Sequence, residues 1–354
     1  MKLQITHQLP PSKNNPRNSE GAFIRGKNGE IIFAYSRYSG SDISDHASCD
    51  IAIISSYDEG ITWSEPEIIV RASDFGVENI MSVSAVEQKN GDIGFYFLVM
   101  ENDLSSSIGR AVSEDGKHFT SERCVKKFPS RYYVINNDRI IRLKDGRLVA
   151  PAAHIPSECN TPLLHRMPAI MTCLVSDDDG ASFYKADIDY TSIDRVNMEY
   201  GYQEPGAIER EDGIYMWART NYGCQYEALF NESFETLEAP HASEFTSPPS
   251  PMQIKWVGDS AYAVYNPIPR YNGRVSAPGT RDRTPFILRK SKDAINFGKI
   301  NIIEDDPTRG YCYPSLFETN DGHILLAYCR GDEKDGNTLC RLGIARIEID
   351  SIEY

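Results

Sequence analysis

The feature that most constrains this chain is a turn signal that returns along its whole length. Asn-Gly or Asp-Gly pairs stand at Asn28-Gly29, Asn90-Gly91, Asp145-Gly146, Asp212-Gly213 and Asp321-Gly322, with a weaker Gly258-Asp259. Each precedes a short apolar and aromatic run such as "EIIFAY" or "HILLAY". These dipeptides supply the positive φ angles of two-residue hairpin turns, so each predicts a β-hairpin. The turn glycines advance by 62, 55, 67, 45 and 64 residues, and six such steps fill the 354 residues.

A second signal falls between the hairpins. "SYDEGITW" begins at Ser56 and "SDDDGASF" at Ser176, with shortened copies "SEDGKHF" at Ser113 and "SKDAINF" at Ser291. All follow the Asp-box pattern S-x-D-x-G-x-x-W/F, and "NESFETL" from Asn231 reads as a decayed copy. The Asp caps a tight turn, the Gly takes a left-handed conformation, and the aromatic packs between strands. Asp58, Asp115, Asp178 and Asp293 are therefore expected to be structural. Almost no helical periodicity competes. Six four-stranded antiparallel units describe an all-β, six-bladed β-propeller, with residues 1–354 as a single domain and "LQITHQL" as a closing strand. Such repeats also occur in binding propellers, so they establish no catalysis.

Composition limits the partners. The net charge of −14 argues against nucleic acid and against an anionic membrane. No run of eighteen apolar residues is present. The eight cysteines include no C-x-x-C pair, which argues against a zinc site and for reduced thiols. The polar, proline-interrupted start "MKLQITHQLPPSKNNPRNSEG" has no apolar signal core, so a cytoplasmic location is expected, or a secreted one if a signal was removed. An anionic ligand would require arginines concentrated locally against the chain's own field.

Six blades, Asp-boxes and certain isolated charges together resemble the sialidase (neuraminidase) superfamily, over nearly the whole chain. The resemblance implies an arginine triad for a substrate carboxylate, a Tyr–Glu nucleophile pair and a separate Asp acid/base. Asp45 lies eleven residues before box Ser56, matching the acid/base, and Arg37 closes the preceding "AYSR" strand at a family position near the site. In "QEPGAIEREDGIYMWAR", Glu204, the Asp212-Gly213 turn and Arg219 reproduce the family's Glu and second arginine. Arg283, eight residues before Ser291, matches the third, with Arg281 as the fallback. The first usually sits in an R-I-P tripeptide. Here "NPRNSEG" departs from it, and Arg17 takes the place. The family nucleophile opens a Y-S-x-L segment; here it is Tyr313 in "YPSL", eight residues before Asp321-Gly322.

These residue types suit one chemistry. Arginine grips a carboxylate bidentately where lysine cannot. A carboxylate nucleophile would be repelled by a sugar acid's own charge, whereas a phenol is neutral and needs a base. The resemblance thus implies a retaining exo-glycosidase releasing terminal sialic acid, with Tyr313 as nucleophile, Glu204 as base and Asp45 as acid/base. Arg17, Arg219, Arg283 and Arg37 would bind substrate, and no metal or organic cofactor would be required. Three other outcomes stay open: an intramolecular trans-sialidase, a hydrolase of another 2-keto sugar acid, and a non-catalytic propeller that binds glycans.

Overall fold

The computed structural model describes residues 1–102, 104–155, 168–191, 200–268 and 277–354; Cys159 lies outside them. Six sheets, antiparallel except at one edge of the third, follow one another along the chain as the blades of a ring. Blade I comprises Asn18–Arg25, Ile31–Tyr38, Cys49–Ser56 and Glu67–Val70, in that order from the axis outward. Blade II runs from Ile80–Glu87 to Thr120–Arg123, blade IV from Gln203–Arg210 to Thr236–Thr246 and blade V from Gln253–Val257 to Asn301–Glu304. Blade VI takes Cys312–Glu318, His323–Cys329 and Leu342–Glu348 from the end of the chain, and Leu3–Leu9 from its start. That last strand pairs antiparallel with Leu342–Glu348, so the closing strand expected from "LQITHQL" seals the ring.

Blade III departs from the pattern. Its inner strand is split into Tyr133–Val134 and Ile141–Arg142, both paired with Leu148–His154, and Val125–Lys127 adds in parallel at its outer edge. The residues between the two halves reach into the axis. There Asn137 Nδ2 donates to the carbonyls of Gly21 (3.0 Å) and Tyr313 (3.4 Å), tying blade III to blades I and VI.

The hairpin glycines Gly29, Gly91, Gly146, Gly213, Gly258 and Gly322 all adopt positive φ, as the turn type demands. The Asp-boxes link the third strand to the fourth in blades I, II, III and V. In the first, Asp58 accepts from Thr62 N (2.8 Å) and Ser56 Oγ (2.9 Å), while Ser56 Oγ accepts from Gly60 N (2.8 Å). Gly60 sits at φ +84, and a Cβ there would lie 2.5 Å from Leu325 of blade VI, so only glycine allows the turn to press on its neighbour. In blade IV, Asn231 Oδ1 stands in by accepting from the Ser233 and Glu235 amides.

Apolar side chains alternate outward from each sheet and meet those of the adjacent blade. Phe23, Phe33 and Tyr35 of blade I pack on Leu325 and Ile344 of blade VI, and Trp217 of blade IV packs on Ile254 and Ala263 of blade V. The core is thus distributed among the blade interfaces, which holds the inner strands in register around the axis. If the Asp-box is a turn cap, Asp58→Ala should lower unfolding stability by about 1–2 kcal/mol through the lost amide and hydroxyl bonds. Denaturant unfolding checks this, and an unchanged midpoint would contradict it.

Candidate active site

The inner strands carry a shared irregularity at the end where each enters the ring. Register slips by one residue between Ser19 and Ala22, Met81 and Ser84, Gln203 and Gly206, and Cys312 and Ser315. Each slip is a β-bulge, which re-aims a side chain that regular alternation would send between blades. A non-glycine residue sits at each bulge in the left-handed region: Glu20 at φ 54, Ser82 at 61, Glu204 at 47 and Tyr313 at 56. All four line one cavity of about 150 Å³ at this front end of the axis. Such conformations cost about 1–3 kcal/mol each, and the surrounding packing must offset that. Ser36 Oγ braces two of the bulges, donating to the Glu20 carbonyl (3.3 Å) and accepting from Ser82 N (2.9 Å).

Tyr313 and Glu204 meet across the axis. The phenol donates a 2.9 Å hydrogen bond to Glu204 Oε1, and both residues are buried. Burial, and then the charge of Glu204, push the phenol well above its ordinary pKa, against the opposing fields of Arg283 and Arg219. The free protein therefore holds a neutral phenol already pointed at a proton acceptor. Arg219 closes the second strand of the same blade and brings Nη1 to 2.7 Å from Glu204 Oε2, while its Nη2 donates to Gln203 Oε1 at 2.6 Å. The 2.7 Å approach is an ion pair without hydrogen-bond angles, and among the described residues Arg219 Nη1 and Nε have no hydrogen-bond acceptor.

Arg17 is 1% exposed and its donors are nearly all spent. Nη1 donates to Asp45 Oδ1 (2.6 Å) and the Ile43 carbonyl (3.1 Å), Nη2 to Glu20 Oε2 (3.0 Å) and Nε to Ser19 Oγ (3.0 Å). Four of its five N–H groups are thus engaged, leaving one on Nη2. Asp45 forms part of the cavity rim, with a side chain 59% exposed. Crowding by protein atoms would raise its pKa, but the charge and hydrogen bond of Arg17 prevail and hold it below the usual carboxylate range; its exposure to water tempers both effects.

Three arginines stand differently from what the sequence led us to expect: Arg17, like the two that follow, does not line the cavity, and meets it only through Glu20 and Asp45. Arg283 is 3% exposed and lies behind the nucleophile candidate, not on the cavity wall: its guanidinium is 5.4 Å from the Tyr313 ring centre and Nη1 donates to Cys312 Sγ at 3.0 Å. Arg37 does not line the cavity. It shares a strand face with Phe33 and Tyr35, its charge acts on the buried Tyr35 phenol, and that face packs toward blade VI. Strand alternation carries it away from the axis. Arg17, Asp45, Glu204, Arg219, Arg283 and Tyr313 are brought together; Arg37 is not.

Residues 44–326 match the BNR repeat-like domain family. The chain belongs to that family. No curated protein matches it. Solved structures share its fold at low identity. A Dyadobacter fermentans protein of unknown function is 16% identical with a TM-score of 0.71, over 98% of this chain and 99% of that one. The NanB sialidase of Streptococcus pneumoniae is 14% identical with a TM-score of 0.71, over 99% and 71%. The intramolecular trans-sialidase of Ruminococcus gnavus, solved with oseltamivir carboxylate, is 12% identical with a TM-score of 0.69, over 99% and 98%.

In this BNR repeat-like chain, sequence reasoning missed Glu20, Ser82 and Asn136. Asn136 is 2% exposed on the cavity wall, and its Nδ2 has no acceptor among the described residues. A signal for the first two existed: Glu20, Ser82, Glu204 and Tyr313 each stand nine residues before the hairpin glycine of their blade (Gly29, Gly91, Gly213, Gly322). Nothing among the described residues groups three or more His, Cys, Asp or Glu side chains to hold a metal. A larger cavity of about 640 Å³ opens at the opposite ends of the inner strands, around Asp138, Lys255 and Trp256, and is lined by none of Arg17, Glu20, Asp45, Ser82, Glu204, Arg219, Arg283 and Tyr313. If the left-handed bulge is strained, Ser82→Gly should stabilise the fold by about 1 kcal/mol, read by thermal unfolding. A lower melting temperature would contradict the strain.

Proposed function

We propose that this chain is a retaining exo-glycosidase acting on terminal sialic acid or a closely related nonulosonic acid. One observation carries the reading: the 2.9 Å bond from the Tyr313 phenol to Glu204 Oε1 in a buried site flanked by guanidinium groups. A phenol held neutral by burial cannot attack as a phenolate at neutral pH. It must lose its proton as it forms the new bond, and Glu204 is in hydrogen-bond reach to take it. The phenol displaces the leaving group at the anomeric carbon, water then displaces the phenol, and two inversions give retention.

Arg219, on the cavity wall, faces the sugar carboxylate; Arg17 lies behind Glu20 and Asp45 and reaches it only by parting from them, while Arg283, pressed behind the ring, favours negative charge developing on the phenol oxygen. Asp45 serves as acid and then base at the rim. While Arg17 grips it, Asp45 favours its ionised form. The glycosidic oxygen of a bound substrate accepts from Asp45 and thereby favours the protonated form from which it must donate.

A second reading, intramolecular transfer to an anhydro sugar, draws on the cavity wall. Met81, Leu98, Met100, Val134 and Ile155 line it on one side and discourage water at the intermediate. Products separate the two: free sialic acid for hydrolysis, a sugar one water lighter for transfer.

A fluorogenic sialoside tests the activity. The parent should release fluorophore, and Tyr313→Phe and Glu204→Gln should each lose about 10²–10⁴-fold in kcat/KM. Full activity in Tyr313→Phe, or none in the parent, would overturn the reading.

A further inference from the structure

Glu20 stands at the first of the four bulges, in the same position as Glu204 and Tyr313 in their blades, yet neither the bond between those two nor the chemistry above uses it. It is 4% exposed and lines the same cavity. Its Oε2 accepts from Arg17 Nη2 and Ser19 Oγ, both at 3.0 Å. Arg17 therefore bridges two carboxyl groups, Glu20 and Asp45, before any ligand arrives.

We propose that Glu20 decides when the site accepts a carboxylate: an anionic sugar takes Arg17 only from a protonated Glu20, so binding it consumes one proton. The inference rests on the reading of this site as one for acidic sugars. The two acids that hold Arg17 are not equivalent. Asp45, with more than half its side chain in water, can yield its place by turning outward. Glu20 cannot, because it is enclosed on a left-handed bulge. An ionised Glu20 would confront the incoming carboxylate at close range around a single guanidinium, and like charges so placed do not both stay ionised. The site resolves the conflict by taking a proton from solvent.

The surroundings support a proton that moves near neutrality. Burial, with the charges of Asp45 and Glu204, raises the Glu20 carboxyl to about 7 against the pull of Arg17 and Ser19. Its charge also acts on Tyr38 and Cys49 of its own blade and on Tyr313 and Cys329 of the adjacent blade VI. Below that pH Glu20 already carries its proton and binding takes up none. Above it, uptake approaches one proton and the apparent affinity falls about tenfold per pH unit.

The test uses 2,3-dehydro-2-deoxy-N-acetylneuraminic acid and its uncharged methyl ester, titrated calorimetrically into the full chain from pH 5.5 to 8.5 in two buffers of different ionisation enthalpy. The expected results are uptake of about one proton with the acid at pH 8, little with the ester, and a loss of affinity for the acid of about tenfold per unit above pH 7. Glu20→Gln, which keeps the acceptor and the shape, should remove both the uptake and the slope. The proton count on the unmodified chain stands even if the variant fails to fold. Affinity for the acid that is flat across pH, or a slope that persists in Glu20→Gln, overturns this inference alone. Failure of the unmodified chain to bind either compound at any pH overturns it together with the proposed substrate class.

Discussion

A strand in regular register sends its side chains alternately into the two flanking blade interfaces, and none down the axis. The extra residue at the head of four inner strands breaks that rule, and the front of the molecule depends on it. It turns Glu20, Ser82, Glu204 and Tyr313 toward a common space, at the cost of a left-handed conformation in each. The apolar blade interfaces hold the bulges in place, and polar ties such as Ser36 and Asn137 couple one bulge to the next. The phenol–carboxylate contact joins two side chains 109 residues apart in sequence, and it exists because the ring closes.

Charge within this space is balanced almost pair by pair. Arg219 answers Glu204, and Arg17 answers both Glu20 and Asp45. Arg283, turned toward a thiol and the phenol ring, pairs with no carboxylate among the described residues. In a chain of net charge −14, the site is therefore not a simple positive well for anions. An arriving carboxylate has to displace acids already in possession of their arginines.

The fold was legible because turns and caps demand particular residues at particular spacings. A two-residue hairpin needs positive φ, and the Asp-box needs an acceptor, a glycine and an aromatic at fixed intervals, so six blades could be counted from letters alone. Side-chain direction was less legible. Arg37 looked like a site residue because it matched a sialidase-family position near the site, but parity with Phe33 and Tyr35 sends it to a blade interface. Arg283 was found, yet nothing in "TRDRTPF" says that its guanidinium lies behind a ring instead of on a wall. Glu20 sat unnoticed in "NSEGAF". It becomes visible only when its distance from Gly29 is compared with that of Tyr313 from Gly322, a comparison that needs the bulge to be understood first.

The central claim is that ring closure arms Tyr313 against an acidic sugar. Incubation with a 2,3-difluoro sialic acid, followed by mass mapping of peptides, tests it most directly. The account predicts one covalent sugar, carried on Tyr313 and absent from Tyr313→Phe. Label on another residue, or an unmodified chain under conditions where the probe is bound, would contradict it.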